Sequence, residues 1–315
     1  GLRFIDKFKP FQDRYKIGET IELRTAVEIS SLKEETSLRF SCEVVKDFPK
    51  DKIIEVDPAE SVPIAKEETI VQEVYCRIPP DTFPVLPTGL KVLEKKIKVY
   101  AIYDFTSKSY LDVYTMQSEY LKNILNQRMD PFEGQKNSRI NTATRQVIPV
   151  ATQGPMRAIL KFDSTQPITE KSTSRDGTYT LGLKLEKSSA VWQGRLNKLT
   201  SVYLYLPKNF ELIDDKFVES LDEGEDQTTF TKYRLNEEGL DKLNNQCDNY
   251  YGGKNSVECN DLFERGFNIA SIKFRVKGLD KPTLVHDYIR AEVEYDFQAE
   301  NIGSFTLAAE TQSAV

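Results

Sequence analysis

The four cysteines are the residues whose type and spacing most directly indicate a chemical role, either disulfide formation or metal binding. Cys42 and Cys76 lie in alternating, strand-like runs of the first half of the chain, and Cys247 and Cys259 bracket a polar loop in the second half. A zinc site needs closely spaced cysteines or partner histidines, but neither pair has that spacing and His286 is the only histidine. We therefore predict two intradomain disulfides and an oxidising compartment, with free buried thiols and a zinc site as the alternatives.

An acidic stretch in the second half offers oxygen ligands for a cation. Its densest part contains four carboxylates, Asp222, Glu223, Glu225 and Asp226. Carboxylate oxygens in such numbers can hold calcium, but their spacing does not match the loop of an EF-hand. The default interpretation is a solvated acidic loop. The alternative is a calcium site at these four residues, where the ion would rigidify the loop or bridge subunits.

The loop between the second pair of cysteines, CDNYYGGKNSVEC, has the composition of a recognition surface. Tyrosine supplies large, rigid, amphipathic contact area, while Gly, Asn and Ser adapt to a partner. A disulfide that closes the loop would reduce the entropy lost on binding. The default interpretation is a disulfide-closed surface loop with no partner, and the alternative is a partner-binding loop. Its contact residues would be Asn249, Tyr250, Tyr251, Lys254 and Asn255.

The sequence carries no recognisable catalytic motif. A single histidine removes most histidine-dependent chemistry, and no GxSxG, GxGxxG, Walker A or HExxH sequence is present. Two carboxylates would suffice for a glycosidase, but a chain with 49 acidic residues makes such pairs uninformative. We predict a protein that is not an enzyme and that has no cofactor apart from the calcium considered above.

The bulk composition limits the partners. The chain has 315 residues, of which 39% are hydrophobic and 29% charged, and its net charge is −6 with both signs interspersed. A nucleic-acid partner is not expected, because binding the phosphate backbone requires a basic face. No apolar run approaches the roughly 18 residues of a membrane span. Because the chain begins at Gly1, a signal or anchor removed by processing stays open.

Alternating strands separated by turn residues make up most of the chain, as in IELRTAVEI at Ile21–Ile29. The two halves also repeat one plan, since IKVYAIYDF at Ile97–Phe105 is matched by IRAEVEYDF at Ile289–Phe297. The polar residues that follow each segment predict a turn. Asp104 and Asp296 would then stand at the entry to a hairpin, with a structural rather than a catalytic role.

One amphipathic helix is predicted between the repeats, with Ser118 as its N-cap. Its apolar stripe consists of Leu121, Ile124, Leu125 and Met129. We expect this helix to cover the open end or edge of the first sandwich. The alternative, a helix that lies on a membrane surface, would usually have a basic polar face and be longer. A second short helix, capped by Asn236, is predicted in the inserted part of the second half.

These patterns predict an all-β fold of two tandem immunoglobulin-like β-sandwich domains, because short punctuated strands favour sandwiches over βαβ units. The first domain would span residues 1–150, with the helix at 118–129 and a linker. The second would span residues 151–315, with an insertion around 214–265.

One stretch of the first half contains a strand, a turn at Gly18 and an alternating strand, in the sequence FKPFQDRYKIGETIELRTAVEISS. The corresponding stretch of the second half is TYTLGLKLEKSS. In this organisation the chain resembles tandem immunoglobulin-like β-sandwich proteins exported to cell surfaces, particularly those of archaea. The resemblance implies an adhesion, filament or envelope role. An antibody-type domain is not expected, because the buried tryptophan beside the disulfide is missing from the first half, and Trp192 is the only tryptophan.

The predicted function is that of an extracellular structural protein, a subunit of a cell-surface filament or envelope assembly. Its partners would be copies of itself or another surface protein, held through β-sandwich contacts. The terminal segments GLRFIDKF and SFTLAAETQSAV would donate strands to neighbours, or else pair within their own domain. The alternative is a monomeric adhesion ectodomain that uses the Cys247–Cys259 loop. A carboxylate-dependent glycosidase is the least favoured.

Overall fold

The computed structural model describes most of the chain. The described residues are 2–30, 35–46, 48–49, 52–80, 82–83, 86, 90–133, 139–141, 143–172, 176–188, 194–219, 229–245, 266–279 and 282–308. Antiparallel strands dominate them, and the helices they contain are two short ones. The predicted all-β fold is therefore confirmed.

The described part of the chain forms two compact units. The first comprises Gly1–Phe105, Ser189–Asn197 and Asp296–Val315, and the second comprises Thr106–Ser188 and Lys198–Tyr295. This division differs from the predicted boundary near residue 150. The physical reason is that two 24-residue strands, distant in sequence, pair with each other and contribute residues to both units.

The first unit contains parts of two sheets. One sheet consists of β1 (Leu2–Phe4), β2 (Lys9–Pro10), β4 (Ile21–Ser30), β6 (Glu55–Asp57) and β8 (Thr69–Ile78). The other contains β3 (Tyr15–Lys16), β5 (Thr36–Val44), β7 (Val62–Ile64), and the first-unit residues of β9 (Val92–Thr115) and β20 (Val285–Ala308). Alternate residues of these strands are buried, as the period-2 pattern predicts.

The second unit repeats this two-sheet plan. Its smaller sheet has the order β13 (Met156–Phe162), β14 (Tyr179–Lys187), β19 (Gly266–Val276), β16 (Phe210–Leu212). Its larger sheet contains β12 (Val150–Ala151), β17 (Phe217–Glu219), β18 (Phe230–Leu235) and the second-unit residues of β9, β15 (Arg195–Pro207) and β20. A two-stranded hairpin, β10 (Ile140–Asn141) with β11 (Gln146–Val147), and the helices α1 (Ser118–Asn126) and α2 (Glu237–Asn244) complete it.

The disulfide predicted in the first half is present. Cys42 on β5 and Cys76 on β8 are bonded, with their Cα atoms 6.1 Å apart. Because β5 and β8 belong to different sheets, this bond ties together the two layers of the first unit. Cys247 and Cys259 lie outside the described residues, as do the predicted contact residues of their loop.

The predicted cap of α2 is confirmed, whereas the predicted cap and packing of α1 are wrong. Asn236 caps α2, since its side chain accepts a hydrogen bond from the backbone N–H of Gly239 at 2.8 Å. The cap of α1 is Gln117 instead of Ser118, whose hydroxyl donates to Glu170 at 2.6 Å. No residue of α1 is buried, so the prediction that its apolar stripe covers a sandwich is wrong.

Both described ends of the chain pair within the first unit. Leu2 lies opposite Ile29 in the antiparallel pair of β1 and β4. Leu307 lies beside Tyr15 in the parallel pair of β20 and β3. The strands at residues 2–4 and up to residue 308 therefore have neighbours in their own chain, which contradicts the prediction that they are donated to another subunit.

Side-chain hydroxyls form hydrogen bonds with the outer backbone groups of β13, an edge strand of the second unit. The backbone N–H groups of Ala158 and Leu160 on β13 donate to the hydroxyls of Ser107 (2.8 Å) and Ser109 (3.3 Å). The first residue of β13 exchanges both its backbone groups with the hydroxyl of Tyr295, at 3.0 and 2.9 Å. All three hydroxyl-bearing side chains are buried. These groups on the outer edge of β13 are thus satisfied without a further strand.

Candidate binding face

Aromatic and cationic side chains share the outer side of the larger sheet in the second unit. Alternation along β15 and β20 turns apolar residues such as Leu204 and Val293 inward, where they are fully buried. The positions between them point outward. We name the resulting surface the aromatic face, and define it by Tyr110, Tyr203, Tyr205, Phe230, Lys232, Arg234, Tyr288 and Arg290.

The strand register places these side chains together. β15 and β18 are antiparallel, with Tyr203 opposite Arg234 and Tyr205 opposite Lys232. Two further pairs along, the Phe230 ring approaches the Tyr288 ring of β20, with centroids 4.7 Å apart. Tyr288 in turn lies 6.1 Å from the ring of Tyr110 on β9. Three rings from three strands therefore form one cluster, and Tyr288 within it is 38% exposed.

Two cations are positioned on the remaining rings. The guanidinium carbon of Arg290 lies 3.7 Å from the ring centroid of Tyr205. The Nζ of Lys232 lies 4.4 Å from the centroid of Tyr203 and 6.0 Å from that of Tyr205. Such cation–π contacts are attractive because a ring face is electron-rich, and each is worth about 0.5–2 kcal/mol. They hold both positive charges against the sheet.

A carboxylate is fixed beside Arg290. The hydroxyl of Tyr205 donates to Glu292 Oε2 at 2.9 Å. Burial raises the pKa of Tyr205 to about 12, so its phenol keeps its proton and remains a donor over the physiological range. The Nε of Arg290 is 3.7 Å from Glu292 Oε1, which is an ion-pair distance but too long for a hydrogen bond. The carboxylate thus neutralises only part of the charge on the face.

The sole histidine lies at one end of the aromatic face. Its Nε2 is 3.2 Å from Asp112 Oδ1, and its ring stacks on Tyr114 with centroids 4.8 Å apart. Tyr114 belongs to a small buried cluster with Phe132 and Ile140. His286 is the second residue of β20. The side chain of His286 is therefore stacked and hydrogen-bonded, and 52% of it is exposed to solvent.

The predicted calcium ligands, Asp222, Glu223, Glu225 and Asp226, lie outside the described residues. Among the residues that are described, no three His, Cys, Asp or Glu side chains come together as a group that could hold a metal ion. The calcium site stays a prediction.

The two Tyr-Asp-Phe segments are not at hairpins. Each lies inside a 24-residue strand, so the prediction of a turn after Phe105 and after Phe297 is wrong. Within the first unit, Asp104 and Asp296 both contact Arg39, whose NH2 group lies 2.8 and 3.4 Å from their carboxylate oxygens. Tyr103 is buried, whereas the side chain of Asp104, the next residue along the strand, is 54% exposed.

Sequence reasoning missed the aromatic face. The signal was present in the alternating runs YLYLP of β15 and FTKYR of β18, where the positions opposite the buried leucines hold tyrosines and basic residues instead of small polar ones. That these runs share one sheet with Tyr288 and Tyr110 depends on pairing between distant strands, which local alternation does not report.

Comparison with known proteins leaves the chain without a family. No family model matches it, and no curated protein matches it. Among solved structures, it is similar to the full-length RrgB pilus protein from Streptococcus pneumoniae, with 8% identity, 96% of this chain covered and a TM-score of 0.21. The match spans 65% of the length of that pilus protein.

Two further structures are similar at the same level. The pilus backbone RrgB from Streptococcus pneumoniae matches with 8% identity, 100% of this chain and 91% of that chain covered, and a TM-score of 0.20. The Enterococcus faecalis MSCRAMM ACE, which binds its ligands by the collagen Hug model, matches with 10% identity, 97% and 95% coverage, and a TM-score of 0.13. Scores this low assign neither a family nor a function.

No helix in the described part of the chain has the length and apolarity to cross a membrane.

Proposed function

We propose that the protein is an exported cell-surface protein of an adhesive kind that holds its partner through the aromatic face. The observation that carries this proposal is the cluster of Tyr110, Phe230 and Tyr288 on the outer side of a sheet, beside the ring-bound cations Lys232 and Arg290. Tyrosine and arginine are enriched in the residues that dominate binding energies, because they combine large contact area with specific polar groups.

The disulfide supports the location. Cys42 and Cys76 form a covalent bond between the two sheets of the first unit. Disulfides of this structural kind persist mainly in secreted and surface proteins, because the cytosol keeps thiols reduced. The bond therefore favours an extracellular or cell-surface setting over a cytosolic one.

The test is binding of the purified, unreduced protein to cell envelopes isolated from its source. The double variant Phe230→Ala/Tyr288→Ala should lose most of this binding. A matched control is Phe11→Ala, which removes a 50% exposed ring that also lies under a cation, Arg24, but in the first unit. Binding that survives the double variant, or that the control reduces equally, would contradict the proposal.

A subunit of a filament or envelope assembly is the second candidate. The observation that favours it is the uncovered apolar stripe around α1, where Leu125 is 42% and Met129 43% exposed. Such a stripe gains free energy when a neighbouring copy covers it. Copies would then assemble through surface contacts and not by strand donation, because the described terminal strands pair within their own unit.

Electron microscopy of the unreduced protein tests this second candidate. Filaments or lattices that disperse in the variant Leu125→Glu would support it, and Lys122→Glu, an exposed position on the same helix, is the control. Dispersed particles at every concentration would retire it and leave the adhesive function.

A further inference from the structure

The rings of the aromatic face are arranged for stacking against another ring-bearing molecule. Tyr288 is 38% exposed and is flanked by Phe230 and Tyr110 at centroid distances of 4.7 and 6.1 Å. A ring face carries negative charge density, so it attracts weakly positive C–H groups, such as those on the flat side of a sugar. The three rings come from three strands, and Phe230 and Tyr110 are tilted by 47° and 52° to Tyr288, so this platform would meet successive sugars of a twisted chain in different orientations.

The charge of this platform is opposite to that of the whole protein. The chain has a net charge of −6, yet the aromatic face carries Lys232, Arg234 and Arg290. The carboxylates that border it, Glu292 and Glu294, are each engaged by a hydroxyl of the sheet, from Tyr205 and Ser201. A third carboxylate, Asp112 at the end of the face, is paired with Arg139 at 3.8 Å, so the three cations of the face meet two remaining carboxylates, which favours a negatively charged ligand.

Arg290 is the cation best positioned to recognise a negatively charged ligand. Its guanidinium carbon lies 3.7 Å from the ring centroid of Tyr205, and its side chain is 29% exposed although its Nε is buried, so the terminal nitrogens are the ones that would meet a ligand. A guanidinium held in this way presents several N–H donors in a fixed plane, which suits the two oxygens of a carboxylate. Arg290 is two residues from Tyr288 on the same side of β20, so a charged group and a stacked ring would be recognised together.

The size of the aromatic face favours a polymer chain over a globular protein as its ligand. It crosses neighbouring strands about 4.8 Å apart and extends about five residues along them, which gives on the order of 300–400 Å². A stable protein–protein interface buries about 800 Å² on each partner. The area is therefore about half of what a globular partner needs, whereas a linear polymer lying across the strands requires no more.

Resting on the proposed function, we infer that the aromatic face binds an acidic polysaccharide. The sugar rings would stack on Tyr288, Phe230 and Tyr110, and the carboxylates would pair with Arg290 and Lys232. The ligand class is thus a uronate-bearing glycan, for which stacking and charge pairing are both required.

The test measures binding of the unreduced, full-length protein to polygalacturonate. Two comparison polymers separate the contributions: the fully methyl-esterified form of the same chain, which keeps the sugar rings without the charge, and polyphosphate, which keeps charge without rings. We expect polygalacturonate to bind most tightly. Tyr288→Ala and Arg290→Gln should each weaken that binding about tenfold or more, since each removes a principal contact. Tyr288→Phe, which keeps the ring, should retain it.

Two control variants match these changes away from the aromatic face. Phe11→Ala removes an exposed ring of the first unit, and Lys161→Gln removes an exposed cation from β13 in the other sheet of the second unit. Both should bind like the wild type. Thermal unfolding of every variant checks that a loss of binding is not a loss of fold.

The outcomes separate this inference from the function on which it rests. Equal binding of polyphosphate, or binding that Tyr288→Ala leaves unchanged, would overturn a specific glycan site in favour of plain charge attraction. No binding of polygalacturonate, combined with envelope binding that still depends on the aromatic face and is lost on protease treatment of the envelopes, would overturn the inference but keep the adhesive function, with a protein as partner. Envelope binding that ignores the face would overturn both.

Discussion

Asp104 and Asp296, the central residues of the two Tyr-Asp-Phe segments, lie on neighbouring strands and share one cation, Arg39. The repeated segments are thus partners of each other, and Tyr103 of one packs edge-on against Phe297 of the other at 5.7 Å. Burial raises the pKa of Asp296 above the usual range of an aspartate, and the adjacent Asp104 carboxyl raises it further, while Arg39 acts in the opposite direction.

This pair predicts how stability depends on pH. The folded state keeps the Asp296 proton to a higher pH than the unfolded chain does, so the stability contributed by the protonated form is present at low pH. It should be lost as pH rises from about 4, the usual aspartate range, through the raised pKa. Urea unfolding between pH 4 and 8 should show a decrease in unfolding free energy that Asp296→Asn makes smaller, while Asp287, whose pKa burial also raises, still contributes.

The matched control for this measurement is Asp163→Asn, an exposed carboxylate of the second unit whose side chain is 63% accessible. It should leave the pH profile of the wild type unchanged. A profile for Asp296→Asn with the same slope as the wild type would show that the pair does not govern this dependence.

The hydroxyls that close the edge of β13 predict a stability cost. Ser107→Ala would leave the buried N–H of Ala158 without its partner, and Ser109→Ala would do the same to Leu160. A buried group left unpaired costs about 1–3 kcal/mol. Urea unfolding should show losses of that size, while the exposed Ser271→Ala on β19 should change little. Losses no greater than in Ser271→Ala would mean that water satisfies the edge.

The Cys42–Cys76 bond predicts a larger effect. It closes a loop with a sequence separation of 34 residues. The chain-entropy model assigns a loop of this length about 3–4 kcal/mol of stabilisation. The double variant Cys42→Ala/Cys76→Ala should lose this amount in urea unfolding of the unreduced protein, with Cys247 and Cys259 left unchanged. A loss under about 1 kcal/mol would indicate that the unfolded chain is already compact in this region.

Glycines with different surroundings give a graded prediction. Gly266 has φ +107°, and a Cβ there would lie 2.0 Å from the Leu185 carbonyl oxygen of the neighbouring strand. Gly266→Ala should therefore cost about 3 kcal/mol or more. Gly177, with φ +67° and open space, should cost only about 1 kcal/mol as alanine. Gly278→Ala, in open space without a positive φ, should be nearly neutral. Equal effects at the three positions would refute this steric account.

Local patterns in the sequence were sufficient for features that depend on neighbouring residues. Alternation predicted the all-β fold, and Asn236 was recognised as a cap because capping involves residues only a few positions apart. The bond between Cys42 and Cys76 followed from their type and their place within one half of the chain.

Features that depend on distant strands could not be predicted in this way. The residues TSKS at 106–109 have the composition of a turn, yet they continue β9, and Ser107 and Ser109 are buried because β13 uses their hydroxyls. The same long-range pairing assembles the aromatic face from Tyr110, Phe230 and Tyr288. Neither contact leaves a trace in local periodicity, because the partner strand is far away along the chain.

The interleaving of the two units has a mechanical consequence. Leu2 and Ala308 both belong to the first unit, whereas the second unit consists of two excursions of the chain that leave the first unit and return to it. A force that pulls these two residues apart would therefore act first on the strand pairs that hold them, β1 with β4 and β20 with β3, and both pairs lie in the first unit. The first bonds to break under such a force would thus lie outside the aromatic face, whose residues belong to the second unit.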